Sequence, residues 1–260
     1  MFKVPEIDDT QAPLLEHLVE LRSRLVRAFM ALGLAFVVCL YFAKPILGFL
    51  VQPLVDAGQG RLVFTKLYGQ FFVELKVALF AGFFVSFPVI ANQIWAFVAP
   101  GLYAKEKKAF LPFLLATPVL FTGGGAMAYY LVMPTAFRWF LGFQGTTQGG
   151  LTIEAMPSSE DYLGLVMQFI LAFGFCFLLP VLLLLLNRAG LVSRAQLAGA
   201  RRYVIVGIAI IAAVITPPDV VSQMMLLVPM WLLFEGSLII MRLTDKGDAA
   251  VDAEEEQPAG

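Results

Sequence analysis

In the stretch EHLVELRSRL, residues 16–25, Glu16, Glu20 and Arg24 recur at every fourth position. That spacing places them on one face of a helix. Leu14, Leu18, Leu21 and Leu25 make an apolar stripe on a neighbouring face. Two chemistries are open to Glu20. It can close an ordinary i,i+4 surface pair with Arg24, contributing a few tenths of a kcal/mol. Alternatively, it can take a guanidinium from outside through paired hydrogen bonds. Glu106, in APGLYAKEKKAF, poses the same choice: its partners are either Lys105, Lys107 and Lys108 or an external cation.

Enzyme chemistry finds little to work with. The chain has one histidine, His17. HLVEL therefore lacks the second histidine of a zinc-protease helix, and no serine–histidine dyad can form within the membrane. Its plain reading is a surface histidine on an amphipathic helix. Asp161 and Asp219 lie at span ends without a partner motif, and neither a phosphate loop nor a dinucleotide glycine pattern occurs. Cys39 and Cys176 sit inside apolar runs and read as small buried hydrophobes. The expectation is a protein that is not an enzyme, uses no cofactor or metal, and binds no nucleic acid.

The elements that must carry these residues are membrane spans. Of 260 residues, 60% are hydrophobic and 14% charged, where a soluble domain carries about 25% charged residues. Charge-free windows run at 28–43, 77–104, 109–137, 162–187, 203–218 and 220–234, the last continuing past Glu235 to Met241. A crossing helix needs about 20 apolar residues. The first window reaches that length when the amphipathic helix before it runs straight on. The fifth falls short, at roughly 21 Å of helix from Tyr203 to Thr216, so it must be met by a thinned bilayer or sheltered by neighbours. The opening residues, MFKVPEIDDTQAP, read as polar, without the apolar run and cleavage site of a removable signal peptide.

Six spans put both termini on one side. Thirteen lysines and arginines then fall on that side and five on the other, which predicts cytoplasmic termini. The same topology brings Glu20 and Glu106 to one membrane surface. Two longer outer segments, 44–70 and 138–161, and a tight turn at TPPD form the opposite face. Prolines at 88, 112, 118, 134, 180 and 229 predict bent helices and a concave body. Gly123, Gly124 and Gly125 predict a close backbone approach in the third span. The domain plan is a flexible N-terminus at 1–13, a six-helix transmembrane domain at 14–242, and an acidic disordered tail at 243–260. No internal repeat of the inverted-transporter kind is seen.

HLVELRSRL, NQIWAFVAPGLYAKEKK and ITPPDVVSQMMLLVPMWLLFE, in this order, resemble the TatC family, over roughly residues 14–242. The resemblance implies an all-α, glove-shaped protein of six spans in the bacterial inner membrane or the thylakoid. It implies a receptor for the paired arginines of signal peptides on folded cargo, acting with the single-span proteins TatA and TatB in a multimeric complex driven by the proton-motive force. Glu20 and Glu106 match the family's two signal-binding glutamates. Leu21 and Arg22 lie in the first motif, and Phe97 lies in WAF beside the cytoplasmic loop. Pro53 matches a required proline of the first outer segment, and Asp219 the outer-face aspartate. Gln223 matches a polar residue implicated in holding a partner's helix.

The sequence departs from the family at Leu178, where an acidic or amide side chain is usual. Leucine offers an incoming helix no hydrogen bond, and Gln168 is about 15 Å away along the helix. Partner docking is therefore expected to rest on Gln223 and apolar packing. Asp219 also suits an N-cap of the sixth span, and Glu235 is expected to reach the interface or pair with Arg242. The alternative function, a proton-coupled small-molecule transporter, would use Glu235 or Glu74 at mid-membrane depth. A scaffold without transport would leave Glu20 and Glu106 unexplained.

Overall fold

The computed structural model describes residues 12–255 except 65, 103–106, 147 and 218, with side chains at 17–97 and 112–243 outside those positions. Expectations on residues 1–11, Glu106 and the last five residues lie outside the described residues. Ten α-helices are present among the described residues: α1 Ala12–Tyr41, α2 Ala43–Asp56, α3 Gly69–Leu102, α4 Lys107–Met127, α5 Met133–Leu141, α6 Ser159–Cys176, α7 Leu179–Arg188, α8 Arg194–Gly199, α9 Arg201–Ile215 and α10 Val220–Glu255. A two-residue antiparallel hairpin, β1 Gly145–Thr146 and β2 Thr152–Ile153, lies between α5 and α6.

Five stretches are long and apolar enough to cross a bilayer: His17–Tyr41, Gly69–Phe97, Pro112–Leu141, Ser159–Arg188 and Val220–Leu243. The sixth, α9, is apolar but has 15 residues, about 22 Å of helix against a core of about 30 Å. The first stretch is only 6% buried within the protein. Phe29, Met30, Leu34 and Val37 on it are all exposed, the surface of a helix whose solvent is hydrocarbon.

The chain forms two compact units. One runs to Leu47 and resumes at Phe71–Pro118. Here α1 and α3 meet closely at Gly82, where a Cβ would stand 2.9 Å from the Phe36 backbone. Trp95 on α3 donates its indole N–H to Thr117 Oγ1 on α4 at 2.8 Å, and Thr117 donates in turn to the Phe113 carbonyl at 2.7 Å.

The other unit takes Gly48–Gln70 and everything from Val119. The third span does not run evenly through it. Between α4 and α5 a π turn covers Ala128–Val132, with the Met133 N–H reaching back to the Ala128 carbonyl. Pro134 follows immediately and has no N–H to give the Tyr130 carbonyl, so the ladder widens there. The fourth span, with its window at 162–187 and a bend expected at Pro180, is divided into α6 and α7. The chain breaks at Phe177–Leu178, because Pro180 cannot donate to the carbonyl four residues back.

Small residues set the packing of α4 on α6. A Cβ on Gly124 would overlap the Phe173 carbonyl, and one on Gly174 would stand 2.7 Å from the Phe121 ring. Of the expected glycine patch, Gly124 makes the close approach, whereas Gly123 faces open space. A further apolar cluster joins Leu183, Leu197, Phe234, Leu238 and Met241, from α7, α8 and α10. Cys39 and Cys176 are both buried and free.

The segment 44–70 is partly helical. In α2, Ile46, Leu50 and Leu54 recur at i,i+4, and Pro45 lies in the first turn, where its missing N–H costs nothing. Beyond α2, Val63 pairs with the segment before α6: its N–H donates to the Pro157 carbonyl at 3.2 Å and its carbonyl accepts from Ser159 N–H at 2.8 Å. Gln59 Nε2 donates to the Ala155 carbonyl at 2.6 Å, and Lys66 Nζ lies 3.7 Å from Glu160 Oε2. The segments 44–70 and 138–161 are thus stitched together.

Candidate functional site

The first unit holds the Glu20 site. Helix α1 carries His17, Glu20 and Arg24 at i, i+3 and i+7, one line along its surface. Glu20 Oε1 accepts from Arg24 twice, from Nε at 3.0 Å and from a terminal guanidinium nitrogen. Glu20 Oε2 faces His17 Nδ1 at 3.7 Å. The side chains of Glu20 and Arg24 are 34% and 21% exposed, so the pair is partly withdrawn from solvent yet reachable. Ser23 Oγ donates to the Glu20 carbonyl at 2.9 Å. Arg22, two residues on and about 200° around the helix, is exposed.

Helix α3 supplies the wall of the site. Phe97 stacks on the His17 ring with centroids 4.2 Å apart and planes at 17°. Below that stack lies an apolar pocket of about 260 Å³, lined by Leu21, Arg24, Leu25, Ala28, Gln93, Ile94 and Phe97. Leu21, Leu25 and Ala28 are i, i+4 and i+7 on α1, while Gln93, Ile94 and Phe97 are i, i+1 and i+4 on α3. The Gln93 carbonyl oxygen Oε1 is buried and accepts no hydrogen bond from the described residues. The arrangement offers a carboxylate already receiving a guanidinium beside a slot for apolar side chains.

Of the residues expected at this site, Glu20, Leu21 and Phe97 come together, and Arg22 points elsewhere on α1. Glu106 falls in the interval between α3 and α4 and lies outside the described residues. His17 is the surface histidine expected on α1, and its exposed ring also stacks on Phe97 and faces Glu20. Gln93 and Arg24 were not singled out as lining residues. The i, i+4 spacing of Gln93 and Phe97 placed them on one face, but nothing local says what that face meets.

The remaining expected residues lie in the second unit. Pro53 is buried in α2. Having no N–H, it leaves the Phe49 carbonyl without its helical donor, and Tyr129 Oη–H fills the place at 2.6 Å. The Phe49 and Tyr129 rings stack, with centroids 4.3 Å apart. Tyr162 Oη–H donates to the next carbonyl, Leu50, at 2.9 Å. Asp219 caps α10: its Oδ1 accepts from Ser222 N–H at 2.7 Å, and the residue is 5% exposed. Gln223 Nε2 turns back onto the Ala209 carbonyl of α9 at 3.4 Å.

Leu178 is not in mid-helix. It is half-buried, at the break between α6 and α7. Gln168 donates to the Ile215 carbonyl at the end of α9 at 3.0 Å, a role in packing α6 on α9. Glu235 does not pair with Arg242. Its partner is Arg201 on α9, with Nε–Oε1 at 2.8 Å and Nη2–Oε2 at 2.9 Å, a two-pronged pair. The earlier expectation followed spacing along one helix, and α9 lies closer.

Residues 16–229 match the family described as TatC, Sec-independent protein translocase protein. The chain belongs to the TatC family. Among curated relatives, the Sec-independent protein translocase protein TatC of Magnetococcus marinus is 46% identical over 250 residues, covering 95% of this chain and 90% of that protein. Its counterpart in Aquifex aeolicus is 36% identical over 235 residues, covering 90% and 96%. A crystal structure titled as the twin arginine translocase receptor TatC, in the detergent DDM, superposes with a TM-score of 0.75 at 36% identity, covering 86% of this chain and 98% of that one. TatC membership makes the six-span helical membrane fold that of this chain, with α9 as the short fifth span, and makes it a protein translocase component rather than an enzyme.

Proposed function

We propose that this TatC-family chain is the signal-peptide receptor of a twin-arginine translocase in a bacterial inner membrane. Glu20 and Glu106 each take one arginine of a signal peptide on folded cargo, Leu21 and Phe97 complete the binding face, and Arg22 serves the same peptide from another face of α1. The chain works in a multimeric complex with the single-span proteins TatA and TatB, and transport draws on the proton-motive force. Both termini lie in the cytoplasm, in keeping with the thirteen basic residues on that side. Gln223 and the apolar surface around Leu178 serve partner docking, with Asp219 nearby capping α10.

The observation that carries the reading is the state of Glu20. Its carboxylate already receives two donors of one guanidinium on Oε1, so it is placed to accept the guanidinium of a peptide arginine. A proton-coupled transporter is less well supported: Glu235, its best carboxylate, is held by Arg201. The test is binding of a twin-arginine signal peptide to detergent-solubilised protein, for the wild type, E20A, E106A and the double variant. Each single change should weaken binding by at least about 1.5 kcal/mol, the low end for a hydrogen bond to a charged group, which is roughly tenfold. A peptide with two lysines in place of the arginines should bind poorly. Equal binding by all four proteins would refute the assignment.

A further inference from the structure

Arg24 already sits where an incoming arginine must sit. We propose that Arg24 is a resident competitor for Glu20: it holds the carboxylate closed in the unliganded protein, a peptide cation must displace it, and it thereby sets how tightly the receptor grips its signal. This rests on the reading that Glu20 receives a peptide arginine. Among the described residues, both hydrogen bonds of Arg24 go to Glu20, and both land on the same oxygen, Oε1. Among the described residues, the other oxygen faces His17 Nδ1 at 3.7 Å and accepts nothing closer. A fork-to-fork contact with an external guanidinium needs both oxygens, so it cannot form while Arg24 keeps Oε1.

Displacement is easy by construction. Arg24 is on the same helix, one turn away, and its stem lines the pocket with Leu21, Leu25 and Ala28. The stem can stay on that apolar wall while the head swings to water, as long cationic side chains do. Glu20 and Arg24 then separate without any movement of the backbone. The closed pair protects the carboxylate from stray cations, and it helps release, because Arg24 returns as the peptide leaves.

Competition has a definite thermodynamic signature. A site blocked for part of the time binds every ligand more weakly by the same factor, the fraction of open protein. Removing the block therefore tightens all cationic peptides alike and leaves the preference of arginine over lysine unchanged. A pair of this exposure is closed for roughly half to four-fifths of the time, so the gain should be about two- to fivefold. If Arg24 instead positions Glu20 for its ligand, its removal has the opposite sign and loosens binding. Loss of a positive charge also strengthens attraction to a cationic peptide at long range, so a control of equal charge is needed. Arg27 is exposed on the same helix and carries no contact to Glu20.

The experiment measures binding of a twin-arginine peptide and its twin-lysine counterpart to the purified full-length protein, for wild type, R24Q, R27Q, E20Q and R24Q/E20Q. R24Q should bind both peptides about two- to fivefold more tightly, with their ratio unchanged, while R27Q stays near wild type and R24Q adds nothing in the E20Q background. Weaker binding by R24Q, or equal gains in R24Q and R27Q, would overturn the competitor role. An E20Q protein that binds the arginine peptide like wild type would instead remove the receptor reading itself, whatever R24Q does.

Discussion

Pro53 and Tyr129 make a coupled pair whose energetics follow from one missing hydrogen. In an α-helix the N–H of residue 53 would serve the carbonyl of residue 49. Proline has none, and the Tyr129 hydroxyl, 80 residues away in the π turn, donates to Phe49 O at 2.6 Å instead. Y129F deletes that donor and leaves the ring, so the stack on Phe49 at 4.3 Å survives. The loss is that of an acceptor left without a partner in an apolar setting, about 1–2 kcal/mol. P53A restores a backbone N–H that can reach Phe49 O. In the P53A background, Y129F should therefore cost about 1 kcal/mol less than it does in the wild type. Unfolding in mixed detergent micelles titrated with SDS, on all four proteins of the cycle, gives the coupling directly. Should Y129F cost the same with either residue at position 53, the tyrosine is not standing in for the proline's lost donor, and the explanation of why a proline is tolerated in α2 fails.

Three further predictions come from other contacts. G124A should destabilise the protein by about 1–3 kcal/mol, because its Cβ meets the Phe173 carbonyl, which is backbone and cannot swing aside; G123A, with open space around it, should leave the same unfolding midpoint almost unmoved. A double-mutant cycle between R201Q and E235Q should show coupling of about 1 kcal/mol, whereas R242Q and E235Q should show none; coupling in the second pair alone would restore the along-helix pairing that spacing suggested. D219A should cost about 1 kcal/mol through loss of the cap on Ser222 N–H, while D219N, which still offers an oxygen, should keep most of that stability. A D219N protein as unstable as D219A would mean that the carboxylate does more than cap.

What was legible in the sequence divides along a physical line. The spans could be read because a bilayer demands some 20 consecutive apolar residues, and such windows need no knowledge of neighbours. For the same reason α9 could be seen to be short, and the i,i+4 spacing put Glu16, Glu20 and Arg24 on one face. Prolines 134 and 180 announced disturbance but not its form. Whether a missing N–H yields a bend, a π turn at Ala128–Val132 or a full break at Phe177–Leu178 depends on what packs against the helix. Helix α2 was hidden because Lys44, Pro45 and Pro53 resemble loop chemistry, yet one proline falls in the first turn and the other has its lost bond replaced from the third span. The partners of Glu235 and Phe49 are 34 and 80 residues distant, beyond any local periodicity.

The Glu20 site shows where that line runs through a single residue. Spacing alone left an ordinary Glu20–Arg24 pair and a ligand-binding carboxylate as rival accounts. The structure contains the ordinary pair, and that pair is itself a guanidinium held by Glu20 next to an apolar pocket. The two accounts cease to be rivals once the internal arginine is treated as occupying the position of the external one. An i,i+4 pair on a helix is weak, a few tenths of a kcal/mol when exposed. That weakness suits a contact that must open whenever a stronger cationic ligand arrives with a second arginine and an apolar segment to add.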